Sequence, residues 1–268
     1  SILMPQHQEF KQGLIFAFAA YIMWGIAPLY FKALDGVAPL DIVLHRILWS
    51  FVFVLFIIVA TNGFGKVRAV LKRRKKLGLL VITSTLIAGN WLIFIWAVTN
   101  DHMLDASLGY YINPIFNVLL GTFFLNEKLR KIQWLAVGLA VLAVLIELVT
   151  YGSIPWVSLA LAISFGIYGL LRKKIQVDAI SGLFIETLIL LPIALGYLFI
   201  IDSSSLSLLT GDVGYSLLIM ASGIVTTLPL LAFSAAALRI PLSTLGFIQY
   251  IGPSLMLLMA VFIYNEPF

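Results

Sequence analysis

An all-α, polytopic membrane protein is the fold class this sequence predicts, and three observations predict it. The 268 residues are 62% apolar and only 11% charged, with a mean hydropathy of +1.07, far from the roughly one-quarter charged composition of soluble domains. The apolar residues gather in nine runs, near 14–34, 40–60, 78–99, 105–125, 132–150, 155–171, 180–201, 213–237 and 243–264, each close to the ~20 residues a spanning helix needs. They lack strict alternation and exceed the about 9–11 residues of a barrel strand, which excludes strands as the spanning element. The third observation is a duplication. Tyr111-Ile112-Asn113-Pro114 is followed by Asn126-Glu127, and Tyr250-Ile251-Gly252-Pro253 by Asn265-Glu266, with the same Pro-to-Glu spacing.

The first run, 14–34, carries Trp24-Gly25-Ile26 and has no small-residue cleavage site, so it reads as a retained helix rather than a leader. The second, 40–60, places His45 and Arg46 about six residues, or ~9 Å, inside one end. The third holds Asn90 with Trp91 and Trp96 nearby. The fourth holds Tyr110, Asn113, Asn117 and Gly121 at steps of three, four and four, a single helical face. The fifth closes a first unit at 150. The sixth repeats the first: Phe165-Gly166-Ile167, Leu170 and Lys173 match Trp24-Gly25-Ile26, Leu29 and Lys32. The seventh holds Glu186, which aligns with Arg46. The eighth and ninth repeat the third and fourth, Leu231, Phe233 and Ala236 matching Leu92, Phe94 and Ala97.

The chain therefore reads as two five-helix units, 1–150 and 151–268. An odd number of crossings per unit makes the second run opposite to the first, an inverted repeat. Basic residues set the orientation, because Lys and Arg in short loops stay on the cytoplasmic side. With the N-terminus inside, Lys11, the run Lys66 to Lys76, Lys128, Arg130, Lys131, Arg172, Lys173, Lys174 and Arg239 all lie inside. Lys32 falls outside and Arg46 within a span, while Asp35, Asp41, Asp101, Asp105, Asp202 and Asp212 occupy the outer loops. That topology accounts for the basic pI of 9.4 without nucleic acid. Asn265-Glu266-Pro267 reads as a helix start, so nine helices lie in the chain and a tenth is expected beyond Phe268.

Trp24-Gly25 with Lys32, Arg46, and the two copies of Pro followed by Asn-Glu resemble the drug/metabolite transporter superfamily of EamA type. The stretch from Ala20-Tyr21 through Trp24-Gly25-Ile26-Ala27-Pro28 to His45-Arg46 is similar to its RarD-like branch. The resemblance covers essentially the whole chain. It implies ten helices, alternating access and export of small metabolites or drugs across a bacterial inner membrane.

Ionisable groups inside lipid are costly and therefore point to function. Arg46 and Glu186 are repeat equivalents near the midplane, read either as a charge pair or as a separated pair flanking an anionic or zwitterionic substrate. The alternative is that each reaches its own headgroup region. His45, which titrates near neutral pH in its unperturbed state, is a candidate for proton coupling, against a simple packing role. Tyr110, Asn113 and Asn117, with Gln249, Gly252 and Met256 in the second unit, form two polar stripes that can line a central cavity, Pro114 freeing a carbonyl there. Interhelical hydrogen bonding is the competing reading. Asn90 and the aromatic side chains Trp91, Trp96, Tyr21, Trp24, Tyr168 and Phe247 suit an amphipathic or aromatic solute, or else packing.

No paired carboxylates, His-rich metal spacing or phosphate loop argue for an enzyme or a cofactor, and no filter-like repeat or ring of like charge argues for a channel. The expected partners are a small-molecule substrate and the lipid bilayer. With no cysteine, the chain has no disulfide or thiolate metal site.

Overall fold

The computed structural model describes residues 3–34, 36–100, 102–152 and 156–263, and among these every regular element is helical. The order is α1 (Leu3–Ala33), α2 (Pro39–Ala60), α3 (Phe64–Leu71), α4 (Arg74–Thr99), α5 (Met103–Phe124), α6 (Lys131–Tyr151), α7 (Trp156–Ile175), α8 (Ala179–Gly196), α9 (Val213–Met220), α10 (Ser222–Arg239), α11 (Leu242–Ile248) and α12 (Ile251–Phe262). Seven described helical segments are long and apolar enough to cross a membrane. Lipid explains the inverted surface: Leu135 is 62% exposed, Val149 81% and Ile200 85%, which would be unfavourable in water and is ordinary against acyl chains.

The helices follow the apolar runs closely, with differences that apolarity alone does not encode. The loop after α2 contains the short helix α3, which buries Val67 and Val70. The run 180–201 ends in a π-helical turn, Tyr197–Ile201, followed by a 3-10 helix, Ser204–Leu209. The eighth run is divided at Ala221 and the ninth at Gln249–Tyr250.

Packing is organised around α1 and α7. Helix α1 runs against α10 and α12, and α7 against α4 and α5. Helix α2 contacts α10 and α8, α8 contacts α4, and α5 crosses α11. Where α1, α7 and α10 meet, Trp24 lies 5.6 Å from Phe165 and 5.8 Å from Phe233, and Phe165 lies 4.9 Å from Phe233, centroid to centroid. Tyr21 and Tyr168 complete this aromatic core and are buried. These two tyrosines and Trp24, read from the sequence as possible solute lining, are packing residues in this conformation.

Two glycines set the closest crossings. A Cβ on Gly246 of α11 would sit 2.7 Å from the Pro114 carbonyl oxygen of α5, nearer than any methyl tolerates, so glycine is what lets the two helices meet at the proline. A Cβ on Gly223 of α10 would overlap the Trp49 carbonyl of α2, and this approach brings Thr226 level with Arg46 one turn away.

The Asn-Glu pair does not open the following helix. Asn126 adopts a left-handed conformation (φ 54°), which Asn tolerates better than most residues, and α6 starts only at Lys131. Glu127 instead turns back to α11, its carboxylate accepting the backbone N–H of Leu242 at 2.8 Å and of Ser243 at 2.9 Å. A carboxylate there satisfies orphan donors and faces the positive end of the helix dipole. The fifth spanning helix accordingly begins after the Asn-Glu pair, where the apolar run 132–150 predicts it. Asn265-Glu266, Asp35 and Asp101 lie outside the described residues.

Candidate functional site

Among the described residues, three polar clusters within the helical body hold most of the residues singled out in the sequence, and Asn90 and His45 lie apart from them.

The first surrounds Arg46. The side chain leaves α2 half-buried, and its Nε donates to Thr226 Oγ1 at 2.9 Å. The guanidinium lies 4.7 Å from the Trp91 ring centroid and 5.4 Å from that of Phe31, a cation held by aromatic faces. Tyr110 and Tyr30 are within electrostatic reach of it, and Tyr30 is fixed by donating to the Leu218 carbonyl at 2.6 Å. Tyr110 packs on Phe94 with centroids 6.1 Å apart. No carboxylate pairs with Arg46 among the described residues.

The second cluster is built on Glu186. Its partner is Arg172 of α7, Nε to Oε1 at 3.8 Å, with both side chains 1% exposed. Tyr168 donates to Glu186 Oε1 at 3.1 Å, and Arg172 Nη2 donates to the Ala179 carbonyl at 3.2 Å. Thr83 of α4, whose hydroxyl donates to the Leu80 carbonyl at 3.0 Å, lies near the carboxylate. A Cβ on Gly182 would overlap the guanidinium, so that glycine makes room for it. Direct pairing of Arg46 with Glu186 is therefore overturned: a repeat axis relates equivalent positions without bringing their side chains into contact, and Arg172 is the nearer cation. Arg172 reads in the sequence as part of a topological signal, the basic run Arg172-Lys173-Lys174. Only the combination of Glu186 with a glycine one turn earlier hinted that one of the three turns inward.

The third cluster joins α5 to α11. Asn117 Nδ2 donates to Gln249 Oε1 at 2.8 Å, Gln249 Nε2 donates to Asn113 Oδ1, and Asn113 Nδ2 donates to the Ala162 carbonyl of α7 at 2.7 Å. All three amides are buried. The stripes on the two runs thus meet, and their groups bond to one another in this conformation. Asn117 Oδ1 alone is left without a hydrogen-bond partner. Beside this crossing a groove of about 430 Å³ is lined by Pro114, Val118, Val137, Phe247 and Tyr250, among others. Its apolar wall takes in Phe247 from the expected aromatic lining.

Asn90 is committed to α7, donating to the Leu161 carbonyl at 3.1 Å and to Ser164 Oγ at 2.9 Å. It precedes Trp91, so it fixes the helix that carries the ring over Arg46. His45 has both ring nitrogens engaged. Trp49 Nε1 donates to Nδ1 at 3.1 Å, which leaves Nε2 to donate to the Ser205 carbonyl at 3.1 Å. That arrangement specifies the neutral Nε2–H tautomer. Sequence reading missed Thr226, whose only signal is a Thr226-Thr227 pair in an apolar run, and Phe31, which carries none. Among the described residues no group of three or more His, Cys, Asp or Glu side chains is placed to hold a metal ion.

Comparison with known proteins places this geometry. The model of the EamA-like transporter family matches residues 11–149. An uncharacterized transporter of Vibrio cholerae is 54% identical over 267 residues, covering 99% of this chain and 88% of the relative. Protein RarD of Salmonella typhi is 52% identical over 260 residues, covering 97% and 88% respectively. A solved crystal structure shares the fold, with a TM-score of 0.71 at 18% identity over 96% of this chain and 91% of that one.

Proposed function

The chain belongs to the EamA-like transporter family, in its RarD-like branch, and on that premise we propose that it is a secondary transporter exporting small amphipathic metabolites, amino acids or drugs by alternating access between two inverted five-helix units. It is an integral membrane protein, and the proposal places it in a bacterial inner membrane with a cytoplasmic N-terminus, in keeping with its basic loops.

The observation that carries the reading is Arg46: a half-buried cation on a spanning helix, boxed by Trp91 and Phe31 and without a carboxylate among the described residues. Such a group costs several kcal/mol in lipid unless something compensates it, and a passing solute is the natural compensation. Helix pairing supports the inverted repeat. Under the repeat, α1 corresponds to α7, α2 to α8, α4 to α10 and α5 to α11 with α12; the contacts α1–α10 and α7–α4, α1–α12 and α7–α5, and α2–α10 and α8–α4 then occur as matched pairs. Arg46 with Thr226 spans α2–α10, and Glu186 with Thr83 spans α8–α4.

Within this proposal Arg46, Tyr110 and Asn90 belong to the solute site. Asn113, Asn117 and Gln249 close the path between the units and meet solute only when α5 and α11 part. Glu186 serves the site indirectly by fixing α8 against α7. Proton coupling through His45 would require release of the Trp49 bond, and the two committed nitrogens favour anchoring of the 3-10 segment instead. The test is counterflow in proteoliposomes with a solute first selected by thermal stabilisation of the purified protein. Exchange accelerated by unlabelled solute on the far side supports a carrier. Unaccelerated, conductance-like flux indicates a channel, and product formed in detergent indicates an enzyme.

A further inference from the structure

We propose that Arg46 receives the carboxylate of an amphipathic organic anion, a monocarboxylate with an aryl or similarly flat apolar body, and that no ammonium group is required for recognition. The assignment rests on the transporter reading above and narrows its substrate class.

A guanidinium has five N–H donors. One, on Nε, is spent on Thr226, and neither Nη nitrogen donates to another described residue, so their edge can donate to both oxygens of a carboxylate in parallel. Trp91 and Phe31 hold the guanidinium through their faces. An arginine fixed in this way presents its fork without further ordering, which lysine cannot do. Within electrostatic reach of the guanidinium, Tyr110 and its neighbour Phe94 offer ring surface for an apolar body.

Charge around the site has one sign. Glu186, the repeat equivalent of Arg46, is neutralised by Arg172 and bonded by Tyr168. Asp41, the one acid on α2, lies in the first turn of that helix, more than a turn before Arg46. No described carboxylate pairs with Arg46, so an ammonium beside the guanidinium meets a like charge; this disfavours amines and gives the ammonium of a zwitterion no ion pair.

The test uses four probes that share one ring and differ in charge: 3-phenylpropionate, 3-phenylpropionamide, phenylalanine and 2-phenylethylamine. The melting temperature of the purified full chain in detergent is followed at millimolar probe. The expected result is stabilisation by 3-phenylpropionate, less by phenylalanine and none by the amide or amine. Arg46→Gln should weaken carboxylate binding roughly tenfold or more, the worth of a charge-assisted hydrogen bond, with Arg46→Lys in between. Equal stabilisation by amide or amine, stabilisation by none of the four, or full retention in Arg46→Gln overturns the assignment. The probe series on the unaltered protein decides the matter even if Arg46→Gln fails to fold. Counterflow of a neutral or cationic solute independent of Arg46 would overturn the carboxylate assignment and leave the carrier standing. Binding of 3-phenylpropionate through Arg46 without exchange would do the reverse.

Discussion

Asn117 of α5 donates to Gln249 at the end of α11 at 2.8 Å, across 132 residues of sequence, so the polar stripes of the fourth and ninth apolar runs hold each other. With Asn113 accepting from Gln249 and donating to the Ala162 carbonyl, the amides form a clasp beneath the Pro114–Gly246 crossing. Breaking one such bond costs about 0.5–1.5 kcal/mol. Asn117→Ala and Gln249→Ala should each lower the melting temperature, and the double variant should lose less than the sum, because both remove the same bond. Additive losses in thermal unfolding would show that the two amides act independently.

The buried Arg172–Glu186 pair predicts asymmetric mutational costs. Glu186→Ala leaves the Arg172 guanidinium uncompensated and should destabilise by about 3–5 kcal/mol, whereas replacing both by Met and Leu should recover much of that loss. Gly182→Ala should be comparably damaging, since its methyl overlaps the guanidinium. Urea or thermal denaturation in detergent reads all three; a mild Glu186→Ala phenotype would remove the pair from the account of stability.

Glu127 caps α11 from outside that helix. Glu127→Ala strands two backbone donors and should cost about 1–3 kcal/mol, with Glu127→Gln intermediate because it keeps one acceptor but loses the charge. Hydrogen exchange at Leu242 and Ser243 is the direct readout: protection should fall in Glu127→Ala and be left unchanged elsewhere in α10. Unaltered exchange at these two amides would contradict the capping role.

His45 separates anchoring from coupling. Because Trp49 and the Ser205 carbonyl occupy its two nitrogens, His45→Gln should lower thermal stability yet leave the pH profile of solute uptake unchanged. A profile flattened between about pH 5 and 8 would assign the proton to this residue after all.

Most spanning segments were legible because lipid demands both length and apolarity, and those demands are written residue by residue. The breaks at Ala221 and at Gln249–Tyr250 were not, since apolar residues continue through them and only helix crossings decide where the axis turns. Repeat alignment correctly grouped Asn113, Asn117 and Gln249 on facing stripes. It left the direct and the separated placement of Arg46 and Glu186 both open, because equivalence of sequence positions says nothing of which cation is nearer, and the direct pair is the one excluded by Arg172. Arg172 was hidden among basic neighbours whose loop position explained them equally well. Glu127 was visible as a motif, but its target lies 115 residues further on, a distance at which local capping rules carry no information.

The central claim, a solute site at Arg46 reached from each face in turn, is tested most directly by thiol accessibility. The chain contains no cysteine, so Thr226→Cys, beside the guanidinium, introduces the sole reactive group. In sealed vesicles, a membrane-impermeant thiol reagent should label this position from either face, and saturating solute on one side should raise labelling from the opposite side while lowering it from its own. Labelling confined to one face under every condition, or from both faces at rates indifferent to solute, would contradict alternating access.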